Sequence, residues 1–292
     1  MPTLREIRRR IAGVKNTQKI TKAMKMVAAA KLRRAQDAII SARPYARKIK
    51  ELLQNLSANN QDFSNPFFAQ REVKNVILVV VTSDRGLCGA FSSNIIRTTR
   101  QQINRYYSDP GCNLRLITVG KKGYDYFVKK EIKIESKHIG IFSHLDFRIA
   151  KNIITEISNS FLKGKCDKIE VIYNEFKTVA QQRIVIEQLL PIPLESIQSK
   201  DSNPADYIYE PSSKKIVDSL IPKHLNFQMW RILLESNAAE QGSRMTAMEN
   251  ATINANDLIR NLQLVYNKAR QASITKELLE IVGGAEALKK TG

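Results

Sequence analysis

The sequence predicts a central α/β domain combined with a long antiparallel coiled coil formed by the N- and C-terminal segments. Two observations predict this fold class. Apolar residues recur at alternating steps of three and four residues in both terminal segments, a spacing typical of coiled-coil helices. Between these segments, short β-branched runs alternate with amphipathic stretches, which indicates a sheet covered by helices. One helix leads into the sheet domain and the other leads out of it, so the two are expected to run antiparallel.

Residues 1–57 are predicted to form the first coiled-coil helix. Thr3 and Glu6 form a capping box, in which each side chain accepts a hydrogen bond from the backbone amide of the other residue. Pro44 lacks an amide hydrogen, so it predicts a bend between Ile40 and Pro44. A seven-residue repeat continues through the whole segment. Its positions are Leu4, Ile7, Ile11, Val14, Gln18, Thr21, Lys25, Ala28, Leu32, Ala35, Ile39, Ala42, Ala46, Ile49, Leu53 and Leu56.

The repeat has one polar interruption, at Gln18, Thr21 and Lys25. The apolar residues beside it lie one position off the seven-residue repeat. We therefore expect the apolar stripe to rotate away from the seam at this point. These neighbouring residues are Ile20, Met24 and Val27.

Residues 75–195 are predicted to form the α/β domain. The wholly aliphatic run Val76–Val81 is typical of a buried strand. Further predicted elements are a helix from Ala90 toward Tyr107, a strand at Leu114–Val119, a helix at Lys121–Lys130, a weak strand at Ile132–Ile139, a helix at Phe147–Leu162, and two strands, Lys168–Tyr173 and Arg183–Leu190, in a hairpin. This alternation predicts a Rossmann-like, mostly parallel, five-stranded sheet.

Residues 212–287 are predicted to form the second coiled-coil helix. Pro222 should bend or restart it, and Gly283-Gly284 should end it. At about 1.5 Å per residue this helix is roughly 100 Å long and the first roughly 80 Å, so the last turns should lack a helical partner. Apolar residues there need another protein to cover them. The predicted seam positions are Met248, Ala251, Ala255, Leu258, Leu262, Val265, Ala269 and Ala272.

Positive charge is concentrated in one part of the chain. The net charge is +19, and residues 1–50 contain fifteen lysines or arginines and only two acids. Such a segment favours an acidic partner, which can be nucleic acid, anionic lipid or an acidic protein surface. Its single aromatic residue, Tyr45, argues against stacking on single-stranded nucleic acid. A basic coiled-coil nucleic-acid-binding protein remains the alternative function.

Few residues suggest catalysis. The segment Gly86–Gly89 supplies G-x-x-G where a dinucleotide loop needs G-x-G-x-x-G, so we predict that Gly86 and Gly89 permit a tight structural turn. A sheet-domain enzyme that binds nucleotide at this turn is a further hypothesis. The three histidines and three cysteines show no metal-ligand spacing, so we expect no catalytic residue, cofactor or metal. The N-terminus has no signal-peptide pattern, and no apolar run is long enough to span a bilayer.

Four long motifs resemble the gamma subunit of F-type ATP synthases. They are Ile7–Ala29 (IRRRIAGVKNTQKITKAMKMVAA), Ser83–Gly89 (SDRGLCG), Glu240–Thr252 (EQGSRMTAMENAT) and Leu262–Leu278 (LQLVYNKARQASITKEL). The resemblance follows the whole chain in order. The chain is therefore identified as similar to the bacterial members of this family.

The resemblance implies a non-catalytic rotor shaft in a proton-driven ATP synthase. In this family the coiled coil stands inside a ring of three alpha and three beta subunits, transmits torque from the membrane c-ring and regulates ATPase activity. The α/β domain is similar to the family's foot, which binds the epsilon subunit and the c-ring. A peripheral location at the cytoplasmic face of the cell inner membrane follows, with membrane contact only through the c-ring and no contact with nucleic acid.

The resemblance also implies which residues contact the ring. Met24, with Lys22 and Lys25, matches the place where the family's shaft meets a beta subunit. The residues that resemble contacts to acidic loops of the ring are Arg270, Gln271, Ser273 and Thr275. The residues that resemble an apolar bearing at the end of the shaft are Leu278, Leu279, Ile281 and Val282.

Overall fold

The computed structural model describes residues 3–59, 65–108, 111–178, 181–193, 210 and 213–291. Residues 1–2, 109–110, 179–180, 194–195 and 212 of the predicted segments, and the side chain of Leu56, lie outside this description. The chain divides into two compact units. The helical unit comprises residues 3–27 and 245–291, and the sheet unit comprises residues 28–244. Two long helices, α1 (Leu4–Asn59) and α5 (Ser213–Thr291), contribute residues to both units.

The sheet unit contains five strands in the spatial order β3-β2-β1-β4-β5. The strands β1 to β4 are parallel, and β5 pairs antiparallel with β4. This confirms the predicted mostly parallel sheet and its terminal hairpin. The bounds are β1 Asn75–Val81, α2 Phe91–Tyr107, β2 Asn113–Val119, α3 Lys121–Val128, β3 Ile134–His138, α4 Phe147–Leu162, β4 Lys168–Phe176 and β5 Gln182–Leu190.

Two apolar cores lie on opposite faces of the sheet, because successive residues of β1 point to opposite sides. Ile77 and Val79 belong to the core that contains residues of α1, α4 and α5. Leu78 and Val80 belong to the core that contains residues of α2 and α3. Every residue from Val76 to Val81 is fully buried, which explains why the strand is aliphatic on both faces.

Within the sheet unit, the positions of the seven-residue repeat form the buried face of α1. Leu53 belongs to the core beneath the sheet, and Leu32 forms a smaller cluster with Leu234 and Ala238 of α5. The predicted packing of the two terminal helices is therefore confirmed. The buried repeat positions in this unit are Ala28, Leu32, Ala35, Ile39, Ile49 and Leu53.

The helix ends confirm one prediction and correct one, and a bend at Pro222 stays a prediction. The backbone amides of Thr3 and Glu6 each donate to the side chain of the other residue, as the capping box predicts. Pro222 does not restart α5, which is one helix through this position. Gly283-Gly284 does not end α5 either. Glycine costs only about 1 kcal/mol in a helix relative to alanine, and strong helix formers follow in 285–290.

Candidate functional site

Polar side chains join the two helices of the helical unit. Three pairs meet across the seam, and the number of the α5 residue falls as that of the α1 residue rises, so the helices are antiparallel. The pairs are Gln18 with Asn256, Thr21 with Thr252 (2.7 Å between hydroxyl oxygens), and Lys25 with Glu249 (2.6 Å from Nζ to Oε1).

The predicted rotation of the apolar stripe away from the seam is confirmed for Ile20 and Val27. The three polar residues of α1 stay in the seam because α5 supplies a polar partner for each of them. Thr21 is buried, and the Thr252 hydroxyl also lies 2.7 Å from the carbonyl of Met248. The neighbours Ile20 and Val27 point outward and are mostly exposed.

The seam of α5 is displaced by one position from part of its prediction. Leu258 and Val265 are each 47% exposed, while Ile259 is buried and Tyr266 is half-buried. Both sets of residues satisfy the same spacing of three and four. Spacing alone does not distinguish two neighbouring sets of residues on one helix. Packing against α1 determines which set forms the seam.

The end of α5 extends beyond its helical partner. In each polar pair the two residue numbers add to 273 or 274, so Leu4 at the start of α1 stands opposite residue 269 or 270. The turns after residue 270 therefore lie past the first residue of α1. Large apolar residues there are exposed: Ile274 is 48% exposed, and Leu278, Leu279, Ile281 and Val282 are 57–68% exposed.

The predicted ring-contact residues fall into two groups on the two helices. Lys22 is exposed, Met24 is half-buried, and Lys25 is engaged in the seam. The group on α5 lies around and beyond the level of Leu4. Arg270 and Gln271 are exposed there. The hydroxyls of the other two polar members bond within α5, Ser273 to Glu277 (3.3 Å) and Thr275 to the carbonyl of Gln271 (3.0 Å).

The turn between β1 and α2 only partly follows its prediction. Gly89 has φ 59°, a left-handed conformation that glycine adopts without strain. Gly86 is not left-handed, and a Cβ there would lie an ordinary 3.7 Å from Lys122. The other left-handed step falls on Leu87, with φ 64°. The prediction for Gly86 is therefore wrong, because Leu87 makes the bend.

Two charged residues hold this turn in place, and neither was predicted from the sequence. The carboxylate of Asp84 accepts backbone hydrogen bonds from Lys121 (3.0 Å), Gly140 (2.8 Å) and Phe142 (3.3 Å). Arg244 of α5 donates to the carbonyls of residues 85 and 86, at 3.4 Å each. The polar groups of the turn are thus occupied by the protein itself, as expected of a structural turn.

Arg244 is itself anchored by Glu240, one helical turn earlier, at 2.6 Å. Burial is the main reason that the pKa of Glu240 is raised to about 7. The spacing of four residues between an acid and a base was a signal for this pair in the sequence. The contact with the turn is separated by more than 150 residues and left no such signal.

Among the residues that the structure describes, no group of three histidines, cysteines or acids could hold a metal ion. All three cysteines, Cys88, Cys112 and Cys166, are free thiols. No helix in the described ranges is long and apolar enough to cross a membrane.

An antiparallel helix pair with exposed apolar side chains, continued by a helix-covered sheet, defines a coiled-coil protein built to bind other proteins. The family model described as ATP synthase matches residues 3–288. The ATP synthase gamma chain of Chloroherpeton thalassium is 52% identical and covers 100% of both chains. That of Chlorobium phaeobacteroides is also 52% identical, over 99% of this chain and 100% of the relative. The chain belongs to the ATP synthase gamma chain family.

Solved structures support the same fold. A chain from the central stalk and c-ring structure of the Tetrahymena thermophila mitochondrial ATP synthase is 27% identical, with a TM-score of 0.59, over 80% of this chain and 99% of that chain. A chain from the Euglena gracilis mitochondrial ATP synthase is 22% identical, with a TM-score of 0.69, over 98% of this chain and 94% of that chain. Nothing in these similarities supports the nucleic-acid-binding alternative.

Proposed function

We propose that this chain is the central shaft of an F-type ATP synthase. It transmits torque from a membrane c-ring to a ring of three alpha and three beta subunits, and it regulates the ATPase activity of that ring. Family membership over nearly the full length supports this function. The observation that carries it is the antiparallel helix pair, whose outer face and free end expose large apolar side chains.

These side chains are the surface on which a surrounding ring would act. They lie outside the seam, so they add nothing to the pairing of α1 with α5. A shaft favours one conformation of a surrounding subunit over another only if its contacts differ with angle. The exposed apolar residues before the free end are Ile20, Met26, Val27, Ile253, Leu258, Leu264 and Val265, with Ile274 at its start.

The chain is proposed to be a non-catalytic subunit, with its foot at residues 75–195. The foot would bind the epsilon subunit and the c-ring, and the c-ring would be the only link to the membrane. The proposed location is the cytoplasmic face of the cell inner membrane, as a peripheral protein. Nucleotide hydrolysis and synthesis would take place in the surrounding ring.

The direct test is reconstitution with purified alpha and beta subunits. The chain alone should hydrolyse no ATP, and the three components together should form an ATPase whose activity depends on this chain. The full assembly with the membrane sector should couple hydrolysis to proton pumping. Equal, coupled activity without this chain would contradict the proposed function.

Charge reversal at Lys22 tests the proposed contact of α1 with a beta subunit. Lys22 is exposed, whereas Lys25 pairs with Glu249, so Lys22→Glu leaves the seam intact. We expect Lys22→Glu to weaken coupling several-fold more than Lys121→Glu, an exposed lysine of α3. Equal effects would show that the positive charge serves only solubility.

For Lys25, the double reversal Lys25→Glu with Glu249→Lys keeps an ion pair but exchanges the two charges between the helices. If the surrounding ring contacts the lysine on α1, the double variant should fold but should assemble poorly and couple ATP hydrolysis poorly to proton pumping. Normal coupling would restrict the role of Lys25 to the seam.

Removal of residues 277–292 tests the proposed bearing. We expect the truncated chain to retain much of the ATPase activity, because the remaining ring contacts of both helices persist. Assembly should become less stable to dilution than with the full chain. Complete loss of activity would assign these residues a larger role than a bearing.

A further inference from the structure

The sheet unit holds α5 more extensively than it holds α1. Among the described residues of the core that lies against the sheet, α1 contributes two fully buried side chains, Ile49 and Leu53, and α5 contributes six. Apolar contacts of this kind resist separation, but they are non-directional, so they do not by themselves fix the angle of α5 about its own axis. The six residues of α5 are Val217, Ile221, Leu225, Met229, Ile232 and Leu233.

Directional bonds from Arg231 of α5 fix this angle. Its Nη2 donates to both carboxylate oxygens of Glu187 on β5, at 2.6 and 2.8 Å. Its Nη1 donates to the hydroxyl of Tyr173 on β4 at 3.0 Å, and that hydroxyl donates to Glu187 at 2.9 Å. Glu235, one turn further along α5, accepts from the same Nη1 at 3.3 Å. The planar guanidinium is therefore oriented by three groups, two of which belong to the sheet.

A second set of bonds joins β5 to α5 further along the helix. The side-chain amide of Gln182 donates to the carbonyl of Ala239 (2.9 Å) and to the hydroxyl of Ser243 (2.7 Å). Side chains alternate between the faces of a strand, so Gln182 and Glu187 lie on opposite faces of β5. β5 is an edge strand of the sheet. Both faces of this edge are thus bonded to α5, at points roughly 12 to 18 Å apart along the helix.

The part of α1 in the sheet unit has no comparable attachment. Among its described residues between 28 and 59, the side-chain hydrogen bonds stay within α1 itself. Both helices continue from the sheet unit into the helical unit. Of the two, α5 is therefore the helix whose rotational setting the sheet determines by bonds of fixed geometry.

We propose that Arg231 is a positioning residue that fixes α5 to the sheet, so that load on the sheet unit enters the helix pair through α5. This inference rests on the proposed shaft function and adds to it the path of the load. With apolar contacts alone, α5 could rotate slightly against the sheet when loaded. The bonds of Arg231 oppose that rotation because hydrogen bonds weaken steeply when they are misaligned.

A comparison of unloaded and loaded assemblies tests this role. Arg231→Gln should leave unchanged the ATPase activity of the chain with alpha and beta subunits alone, because no load acts on the sheet unit there. With the membrane sector present, the variant should pump fewer protons per ATP hydrolysed, and the loss should grow with the opposing proton gradient. Unchanged coupling in this variant would overturn the proposal. Failure of the unmodified chain to couple would instead contradict the shaft function.

Two further variants separate orientation from stability. Leu53→Ala removes an apolar contact of α1 with the same core, so it should lower stability and keep the coupling of the unmodified chain. Arg231→Lys keeps the positive charge but lacks the planar fork, so it should regain stability relative to Arg231→Gln without regaining coupling. A loss of coupling in Leu53→Ala as large as in Arg231→Gln, or full coupling in Arg231→Lys, would contradict the role in orientation.

The attachment of α5 can also be measured on the isolated full-length chain, which needs no other subunit. Amide hydrogen exchange of residues 232–243 should be about tenfold faster in Arg231→Gln than in the unmodified chain, the factor that loss of a hydrogen bond to a charged group predicts. Exchange in β1 should change little, because Arg231 makes no bond to that strand. Unchanged exchange in α5, or an equal change in both segments, would overturn the proposal.

Discussion

The two units of this protein are stabilised in different ways, although the same two helices contribute to both. In the sheet unit, α1 buries apolar residues in two clusters, with Leu53 in the core against the sheet and Leu32 in the smaller cluster with α5. In the helical unit, the seam between α1 and α5 is narrow, and three polar pairs interrupt its apolar contacts. Large apolar side chains such as Ile20 and Leu279 face outward there. The sheet unit thus buries its apolar residues of α1 within itself, whereas the helical unit leaves apolar surface that other proteins can cover.

Two glycines give the largest expected contrast between the units. In the sheet unit, Gly120 has φ 95°, and a Cβ there would lie 2.1 Å from the carbonyl oxygen of Thr82. Gly120→Ala should therefore cost about 4 kcal/mol or more of unfolding free energy, by strain and overlap together. In α1, Gly13 has nothing within 4 Å of such a Cβ, so Gly13→Ala should stabilise by up to about 1 kcal/mol. Thermal and urea unfolding of both variants would measure the difference, and similar losses would contradict it.

Truncation of a leucine gives the next largest effect. Leu53 is fully buried in the core of the sheet unit, so Leu53→Ala should cost about 3 kcal/mol. Leu258 in the helical unit is about half exposed, and Leu258→Ala should change stability by less than about 1 kcal/mol. Denaturant titration of the isolated chain checks both values. A large loss at Leu258 would show that the exposed face stabilises the fold by itself.

Burial of Glu240 predicts a pH dependence that belongs to the sheet unit. Because its pKa is raised to about 7 in the folded protein, the folded state binds more protons than the unfolded state between about pH 4.5 and 7. Stability should therefore fall as pH rises through this range, by roughly 2 kcal/mol from this group. Glu240→Gln should remove this part of the fall. Unfolding titrations at pH 5 and pH 8 test it, and an unchanged slope in the variant would contradict the assignment.

The smallest expected effects come from ion pairs, again with a difference between units. Lys25 and Glu249 are both partly exposed, so a double-mutant cycle with alanine should give a coupling of about 0.5 kcal/mol that salt abolishes. Arg231 contacts both oxygens of Glu187, and the Tyr173 hydroxyl joins the same network. A double-mutant cycle of Arg231 and Glu187 should give a coupling energy of about 1 kcal/mol, and added salt should lower it less than it lowers the coupling of Lys25 with Glu249. A larger coupling energy for Lys25 and Glu249 than for Arg231 and Glu187 would mean that the stability of the helical unit depends on its ion pairs.

Much of the fold is predictable from local pattern. The aliphatic run of β1 and the capping box at Thr3 are short-range signals, and both occur as predicted. The predictions that fail depend on a choice between near-equal alternatives. Spacing fits Leu258 as well as Ile259, and a glycine pair such as Gly283-Gly284 weakens a helix without stopping it.

The turn shows what sequence patterns miss. A leucine at a left-handed position is unfavourable alone, so local propensity assigned the bend to Gly86 instead of Leu87. The contact that holds it, from Arg244, comes from the other end of the chain. The predicted ring-contact residues depend on a partner surface, so their assignment stays a prediction.

The polar pairs of the helical unit also determine how far one helix can slide along the other. Small seam residues such as Ala255 would pack almost as well after a slip of one heptad, roughly 10 Å. After that slip Lys25 would face Asn256, and Glu249 would lose its cation. Only one alignment satisfies every polar pair, as a single buried asparagine does in other coiled coils. A load applied along this pair of helices would therefore act against these specific side-chain contacts.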